Sequence, residues 1–409
     1  MTAERNKRSC MQGKISSFLK SRIDAGDFPS AVYLVAEKGE IKFQDALGYA
    51  VVEPERFEAK LDTIYDLASL TKPLVTGLLC AKLTETGEVE LGQTTDQYFP
   101  EFQSTKAYEG AWDTSVAELA AHVTLLPAWK PFYLLVGERE SILKEIAETP
   151  ITLAGSEVVY SDLNFIVLMF LIERIRGFKI DLAARKIFEP LGLRDTCFNP
   201  LPEFRLRIAA SENGNEYEKQ TCIEQGYLSE GTNYRATEAA PLGLEEESRE
   251  HEIRIPQSAL RTHLIWGEVH DGNAYFMGGV AGHAGLFSTA EEVFKIAQQF
   301  LPHYTQLLKP ETCELFRTNF TKGMNEDRSF AFQLASTEGS TAGTRMSPES
   351  FGHNGFTGTS LWIDPVKERV FVLLTNRTHN HPLPFVNINS VRRRFHDLAV
   401  ELLDKIPSN

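Results

Sequence analysis

Residues 69–73 read Ser69-Leu70-Thr71-Lys72-Pro73 and place a hydroxyl and an amine three positions apart. Positions three apart share one face of a helix, so the side chains of Ser69 and Lys72 meet once this segment coils. Proline fits only the first turn of a helix, so the apolar run from Leu74 to Leu83 predicts a buried helix that begins close to Ser69. A helix N-terminus favours developing negative charge, and a nearby base activates a serine hydroxyl toward a carbonyl. Ser69 is therefore a candidate nucleophile.

Two later stretches strengthen this interpretation of a common four-residue pattern. Tyr160-Ser161-Asp162 comes directly before the apolar run from Leu163 to Arg176, which has helical length. His353-Asn354-Gly355 opens a stretch of strand character that runs through Trp362. Ser-x-x-Lys, a Ser-Asp-Asn element and Lys-Thr-Gly form the motif set of class A β-lactamases and penicillin-binding proteins. The chain order is the same here, with a tyrosine in the second element and a histidine for lysine in the third.

This variant set resembles the serine hydrolases related to class C β-lactamases and penicillin-binding proteins, whose second element is Tyr-x-Asn. The family also includes D-alanyl carboxypeptidases, D-amino-acid peptidases and β-lactamase-like carboxylesterases. The resemblance covers the chain from about Phe28 to the last helix, and it includes the glycine-rich segment Gly278 to Thr289 and the stretch Phe356 to Trp362. It implies an active site in the cleft between an α/β lobe and a helical lobe.

The resemblance also implies roles for individual residues. In the resembling enzymes the serine is acylated, and the tyrosine shares proton transfer with the lysine, which would make Ser69, Lys72 and Tyr160 catalytic. Gly355 would let a strand edge approach the acyl group closely, and the backbone amides of Ser69 and Phe356 would form the oxyanion hole. Whether Lys72 or Tyr160 is the base stays open, because the two groups can share one proton.

Two positions depart from the family pattern. Asp162 replaces an asparagine, and an ionised aspartate only accepts hydrogen bonds. Asp162 could pair with Lys72 and keep it charged, which would favour the tyrosine as base. Alternatively, Ser161 or Asp162 caps the helix that follows, and one side chain could serve both purposes. His353 replaces the lysine that grips a carboxylate, which weakens the case for a β-lactamase. Asn354 and Gly355 also form the Asn-Gly pair that is typical of a bare hairpin turn.

The stretch from Leu126 to Pro131 resembles, in altered form, a family loop beside the cleft. Trp129 and Tyr133 either form an apolar wall for the substrate or merely pack. Three groups of residues raise the question of a metal site, but none forms a matched ligand pair on a predicted helix. They are His270-Asp271, His283 and His379-Asn380-His381. We expect neither a metal nor a cofactor.

The composition fits a soluble globular enzyme with a large core, because 42% of the 409 residues are hydrophobic and 24% are charged. A net charge of −14 argues against a nucleic-acid partner. Five dispersed cysteines without metal or redox spacing favour a reduced compartment. The polar N-terminus lacks the apolar core of a secretory signal, and no apolar run near the motifs is long enough to cross a bilayer. We therefore expect a cytoplasmic location and no membrane partner.

Hydrophobic periodicity predicts an α/β (α+β) fold, with one antiparallel sheet built from both ends of the chain and a helical lobe inserted. We expect a tail and helix over residues 1–27 and a single hydrolase domain over residues 28–409. The sheet lobe would comprise about residues 28–65 and 280–409, and the helical, loop-rich lobe about residues 66–279. Within that lobe, residues 199–269 are polar and show little periodicity, which is typical of a solvated excursion or of a rim or lid.

Individual elements follow from the same periodicity. The predicted strands are Ala31 to Ala36 and Ile41 to Ala46 around a Lys38-Gly39 hairpin, Phe330 to Leu334, Thr359 to Ile363 and Arg369 to Thr375. The further predicted helices are Ile15 to Ile23, Ala290 to Phe300, Pro310 to Phe316 and Val391 to Ile406.

Together these features predict a metal-independent serine hydrolase that acts on the ester or amide carbonyl of a small molecule or peptide through an acyl-enzyme at Ser69. The expected cytoplasmic location favours a carboxylesterase, because peptidoglycan cross-links and most β-lactam targets lie outside the membrane. The alternatives are a D-alanyl or D-amino-acid peptidase or carboxypeptidase, and then a β-lactamase. A catalytically silent ligand-binding homologue is the non-enzyme alternative, motivated by Asp162 and His353.

Overall fold

The computed structural model describes residues 2–103, 114–151, 157–229 and 260–406, with side chains from residue 11 onward. Part of the predicted rim or lid, residues 230–259, therefore lies outside the described residues. Among the described residues, no helix combines the length and the apolar content that crossing a membrane requires. The α-helices are α1 (Thr2–Asp24), α2 (Leu78–Glu85), α3 (Pro100–Gln103), α4 (Val116–Ala121), α5 (Phe132–Leu135), α6 (Ile142–Ala147), α7 (Asp162–Arg176), α8 (Ile180–Phe188), α9 (Glu216–Glu224), α10 (Gly272–Phe276), α11 (Ala290–Ala297) and α12 (Asn389–Leu403).

The strands form a large antiparallel sheet and a small one. They are β1 (Ser30–Glu37), β2 (Glu40–Val51), β3 (Phe57–Glu58), β4 (Tyr65–Asp66), β5 (Cys197–Phe198), β6 (Leu286–Ser288), β7 (Gln333–Leu334), β8 (Phe351–Asn354), β9 (Ser360–Asp364) and β10 (Arg369–Thr375). The large sheet has the order β3-β2-β1-β10-β9-β8-β7, and the small one has the order β4-β6-β5. N-terminal and C-terminal strands meet where β1 pairs with β10. This arrangement confirms the predicted sheet and fold class.

Alternating residues of β1 face two different cores, as the period of a strand requires. Val32 and Leu34 lie in the large core, which also contains the buried faces of α2 and α11. Tyr33 and Val35 lie in a second core with the buried residues of α1 and α12. The sheet is therefore covered by helices on both faces, which explains why β1 and β10 are apolar along almost their whole length.

The nucleophile segment is helical in a different way from the prediction. A 3₁₀ turn, Ala68–Leu70, is followed by a π-helical segment, Lys72–Gly77, and only then by α2. Pro73 lies in the first turn, as expected. This segment packs closely on its neighbours, since a Cβ on Gly77 would lie 2.6 Å from the Cβ of Ala331. Single π-helical turns are frequent at functional sites.

The third motif closes a strand, and the prediction that it opens one is wrong. His353 and Asn354 end β8, and a hairpin loop over residues 355–359 leads into β9. The Gly358 amide donates to the Gly355 carbonyl at 3.1 Å, so the turn is centred on residues 356 and 357. Asn354 still pairs with Ser360 in the ladder of β8 and β9, so the alternative of a bare Asn-Gly turn is wrong. The loop is also tied to the nucleophile segment, because Thr359 Oγ1 donates to the Leu67 carbonyl at 2.9 Å.

The packing of α1 generates a prediction about stability. Leu19 of α1 is fully buried in the second core, so Leu19→Ala removes apolar contacts from the sheet and leaves a cavity. We expect the free energy of unfolding to fall by about 2–5 kcal/mol in a urea titration. Ser17→Ala, at an exposed position of the same helix, should change it by less than about 0.5 kcal/mol. Equal stability of the two variants would show that α1 does not belong to the folded unit.

Candidate active site

The structure brings the first two motifs together around one amine. Lys72 Nζ lies 2.9 Å from Ser69 Oγ and 2.7 Å from a carboxylate oxygen of Asp162. The same nitrogen lies 5.0 Å from the centre of the Tyr160 ring. The helical spacing of Ser69 and Lys72 thus has the predicted consequence, although two non-α turns produce it.

The backbone before Ser69 is held in a sparsely populated conformation. Ala68 has φ +48°, a left-handed value that a residue with a Cβ seldom adopts. Asp66 stabilises it, because one carboxylate oxygen accepts the Ala68 amide at 2.8 Å and the other accepts the amide of His270 at 2.7 Å. Thr71 Oγ1 donates to the Ala68 carbonyl at 2.7 Å. Local strain of this kind persists only where the surroundings enforce it, and it clusters at functional sites.

Lys72 is fully buried, and its amine lies close to polar atoms of three residues. Besides Ser69 and Asp162, Nζ lies 3.1 Å from the backbone carbonyl of His283, to which it donates. Burial alone lowers the pKa of Lys72, but the charges of Asp162 and of an ionised Tyr160 outweigh it and raise the pKa above its ordinary value. Lys72 is therefore an ammonium at neutral pH, and it holds the Ser69 hydroxyl by donating to it.

Asp162 is the counter-ion of Lys72, which decides between the two predicted alternatives. Its approach is that of an ion pair and not of an aligned hydrogen bond. Asp162 is also the first residue of α7, where the helix dipole favours negative charge. Ser161 occupies the N-cap position, but its hydroxyl donates to the Pro127 carbonyl at 2.7 Å and caps nothing.

Tyr160 lies between the amine of Lys72 and two imidazoles. Burial raises the pKa of Tyr160, whereas the Lys72 charge and the Ser69 hydroxyl act in the opposite direction. The ring centre lies 4.6 Å from that of His122 and 5.7 Å from that of His353. The phenol of Tyr160 therefore lies beside the side chains of Ser69 and Lys72.

His353 is buried, and its Nδ1 donates to the Asn354 carbonyl at 2.9 Å. Burial, with the charges of Lys72 and Arg328, holds the pKa of His353 well below its usual range. The ring is therefore neutral at physiological pH and supplies no fixed charge for a carboxylate. The amide oxygen of Asn354 accepts a hydrogen bond from Thr341 Oγ1 at 3.1 Å and is therefore not directed at the cleft.

Gly355 is required by a close approach to the nucleophile segment. A Cβ at this position would lie 2.0 Å from Thr359 Oγ1 and 2.5 Å from the Leu67 carbonyl oxygen. Phe356 follows it and lines the same cleft as Ser69. The third motif therefore lies beside Ser69, which is the position expected for the oxyanion amides of Ser69 and Phe356.

The cleft has a volume of about 560 Å³ and a polarised lining. Aromatic, acidic and basic side chains contribute to it. The aromatic residues include Trp129, Tyr217 and Phe356. The acidic residues are Asp162, Glu218 and Asp271, and the basic residues are Arg328, Arg377 and Arg392. Tyr217 and Glu218 come from α9, so the described part of the 199–269 region forms part of the rim. Burial and the charge of Asp271 raise the pKa of Glu218 to about 7.

Tyr133 does not belong to this lining, and its predicted contact with a substrate needs correction. Its side chain is fully buried, and its hydroxyl donates to Glu218 at 2.9 Å. Trp129 does line the cleft, and its ring lies 6.5 Å from that of Tyr133. Tyr133 can therefore support the wall from beneath but cannot touch a substrate.

Several residues of the site escaped the sequence analysis. His283 contributes its carbonyl to Lys72, and its ring lies 3.0 Å from an oxygen of Asp271. The sequence offered both residues only as metal candidates, because nothing in their spacing places them beside residue 72. Arg328 lies over the Tyr160 ring at 5.2 Å, and no sequence signal marked it.

Among the described residues, one group is compact enough to hold a metal ion. The donor atoms of Asp162, Asp271 and His283 all lie within 4.8 Å of one another. The ammonium of Lys72 already neutralises Asp162 and would repel a cation, and His283 is bonded to Asp271. The ion pair of Lys72 with Asp162 and the contact of His283 with Asp271 therefore account for this group, and we assign no metal to it.

Comparisons with known proteins agree with this fold. The family model for β-lactamases matches residues 15–392. A Salmonella typhimurium (strain LT2) protein named "Putative D-alanyl-D-alanine carboxypeptidase" is 30% identical over 396 residues, which cover 90% of this chain and 83% of that protein. Two solved structures have a TM-score of 0.68 and cover 98% of this chain. EstCE1, "a hydrolase with promiscuous acyltransferase activity", is 20% identical and fully covered, and a β-lactamase from Sulfitobacter sp. EE-36 is 16% identical and 99% covered.

The mixed α/β fold, with its large antiparallel sheet and many helices, is that of the β-lactamase-like and transpeptidase-like proteins. The chain belongs to the β-lactamase family, as the match over nearly its whole length shows. It is a serine hydrolase of that family, and its structural neighbours include the hydrolase EstCE1, β-lactamases and penicillin-binding-protein homologues.

The buried ion pair generates a prediction about stability and pH. Asp162→Asn leaves the Lys72 ammonium buried without a counter-ion, so we expect the free energy of unfolding to fall by about 3–5 kcal/mol at about pH 7. In the variant, burial lowers the pKa of Lys72 below its value in the unfolded chain. The unfolded state then binds more protons, and stability rises with pH up to about pH 10. Urea titrations at both pH values measure this recovery.

Asp24→Asn is the matched control, because Asp24 pairs with Lys20 on an exposed surface of α1. It should change the free energy of unfolding by less than about 0.5 kcal/mol at either pH. A deficit in the Asp162 variant that does not shrink at high pH would contradict the assignment of a buried ammonium.

Proposed function

We propose that the protein hydrolyses carboxylic esters through an acyl-enzyme on Ser69. The observation that carries this proposal is the position of Lys72 Nζ, which contacts Ser69 Oγ at 2.9 Å while its charge is neutralised by Asp162. The serine is partly accessible from the cleft, whereas the amine behind it is fully buried. A hydroxyl held in this way is oriented before the substrate arrives.

Tyr160 is the favoured proton acceptor in this proposal. Because Lys72 is already an ammonium, it has no lone pair for the Ser69 proton. Tyr160 can accept this proton in its phenolate form, which the raised pKa of Tyr160 makes the minor form at neutral pH. The positive charge of Lys72 favours that phenolate, and the two groups titrate as a pair. Activity should therefore rise with pH as the pair loses a proton.

The proposed reaction has two balanced halves. Ser69 Oγ bonds to the ester carbonyl carbon while its proton passes to Tyr160, and the amides of Ser69 and Phe356 donate to the oxyanion. The carbon–oxygen bond to the alcohol then breaks, and the alcohol leaves with that proton. Water then attacks the acyl carbon while its proton passes to Tyr160, and the bond between that carbon and Ser69 Oγ breaks. Ser69 regains its hydroxyl by taking the proton from Tyr160 as the acid leaves.

Esters are the favoured substrate class because the cleft lacks a charged residue at the third motif. His353 is neutral, so the third motif supplies no positive charge that could bind a substrate carboxylate beside the oxyanion amides. Trp129, Tyr217 and Phe356 provide apolar surface around Ser69. EstCE1, which shares the fold, is itself described as a hydrolase with acyltransferase activity.

A D-alanyl carboxypeptidase is the second candidate, and a specific observation favours it. Arg377 and Arg392 line the cleft, and guanidinium groups are well suited to binding a peptide carboxylate. The Salmonella relative also carries a carboxypeptidase name. A β-lactamase is the third candidate, since the solved relatives include several.

A substrate panel tests the proposal. We expect turnover of short-chain nitrophenyl esters that exceeds turnover of D-alanyl peptides and of a chromogenic cephalosporin. Ser69→Ala should lower kcat/KM for the esters by ~10³-fold or more with an unchanged circular dichroism spectrum, because no acyl-enzyme can form.

Ser21→Ala, at an exposed position of α1, is the control and should retain full activity. Comparable ester turnover in Ser69→Ala would remove the proposed nucleophile. Preferred turnover of D-alanyl peptides that also depends on Ser69 would keep the mechanism and replace the substrate class.

A further inference from the structure

Tyr160 is surrounded by charged and titratable groups from several elements. Lys72 comes from the π-helical segment, Asp162 from the start of α7, and His353 from β8. His122 follows α4, and Arg328 comes from the segment before β7. The balance of these charges decides how readily the phenol loses its proton.

The two imidazoles contribute no charge to this balance. Burial and the charges of Arg328 and Lys72 hold the pKa of His122 well below its usual range, and the same causes act on His353. The Nε2 atoms of both rings are buried and have no hydrogen-bond partner among the described residues. Both rings therefore pack against Tyr160 as neutral groups.

Arg328 is the one guanidinium placed over the Tyr160 ring among the described residues. Its Cζ lies 5.2 Å from the ring centre, and its side chain is 6% exposed. Nη2 pairs with Glu326 at 2.7 Å, whereas Nε and Nη1 have no hydrogen-bond partner among the described residues. Glu326 thus fixes the orientation of the guanidinium, which packs on the Tyr160 ring.

We propose that Arg328 is a positioning residue that supplies, through its packing on the Tyr160 ring, a fixed positive charge favouring the phenolate. A cation packed on an aromatic ring in a desolvated site interacts strongly with it, and more strongly when the ring is ionised. Arginine suits this place because its charge persists at any working pH and its plane stacks on rings. Arg328 does not touch the reacting atoms and acts only through Tyr160.

The inference rests on the proposed role of Tyr160 in proton transfer, but it has a consequence that needs no turnover. Removing the charge of Arg328 raises the pKa of Tyr160, and removing the opposing charge of Glu326 lowers it. A loss of packing cannot produce the second effect. The two substitutions therefore separate electrostatic action from structural support.

The test is a spectrophotometric titration of Tyr160. Each protein is paired with its own Tyr160→Phe derivative, and the difference in tyrosinate absorbance isolates this phenol. Arg328→Met should move the midpoint upward by about one pH unit, a tenfold change in the phenolate equilibrium. Glu326→Gln should move it downward, and Arg328→Lys should return it most of the way to the wild-type value.

Arg139→Met is the matched control. Arg139 packs over Phe170 at 4.7 Å and pairs with Glu173 at 2.7 Å, away from the cleft. This variant should leave the titration unchanged. Opposite shifts in the Arg328 and Glu326 variants support the proposal, and any other combination, including equal midpoints or shifts of the same sign, overturns it.

Ester kinetics separate this proposal from the proposed function. On the rising limb of the pH profile, kcat/KM should fall about tenfold in Arg328→Met and rise in Glu326→Gln. Full activity in Tyr160→Phe would refute the role of Tyr160 in the reaction and leave the titration result standing. Loss of activity in Tyr160→Phe, without opposite shifts in the other variants, would refute only the role of Arg328.

Discussion

A buried ammonium needs a counter-ion, and this constraint organises the centre of the molecule. Lys72 is fully buried and pairs with Asp162 at 2.7 Å, and the His283 carbonyl and the Ser69 hydroxyl take its other hydrogens. An unpaired charge in this position would destabilise the fold by several kcal/mol. The start of α7, the glycine-rich segment and the nucleophile turn are therefore fixed relative to one another by a single amine.

The sheet brings the remaining parts of the cleft to that amine. Pairing of β1 with β10 joins the two ends of the chain, and the loop after β8 is bonded to the carbonyl of Leu67, directly before the nucleophile turn. Gly355 allows this approach because a side chain would collide with Leu67 and Thr359. Within the cleft, His353 at the third motif is neutral, and the positive charge of Arg328 packs on the ring of Tyr160.

Local patterns explain which features the sequence predicts well. β10 has the predicted bounds Arg369–Thr375 because it is a continuous apolar run, and Ser69 meets Lys72 because residues three apart share a helical face. Contacts between distant segments were not predictable. The carbonyl of His283 reaches an amine 211 positions away, and nothing in the sequence distinguishes Asp162 as a counter-ion from Asp162 as a cap. Tyr133 was misplaced for the same reason, since its burial depends on α9 packing over it.

The most direct measurement of the central claim is peptide mapping after reaction with a fluorophosphonate, which captures activated serine nucleophiles. We expect one covalent adduct, on the peptide that contains Ser69. Replacement of Tyr160 by phenylalanine should slow the formation of this adduct. An adduct on a different serine, or no adduct in a folded protein that hydrolyses esters, would contradict the account.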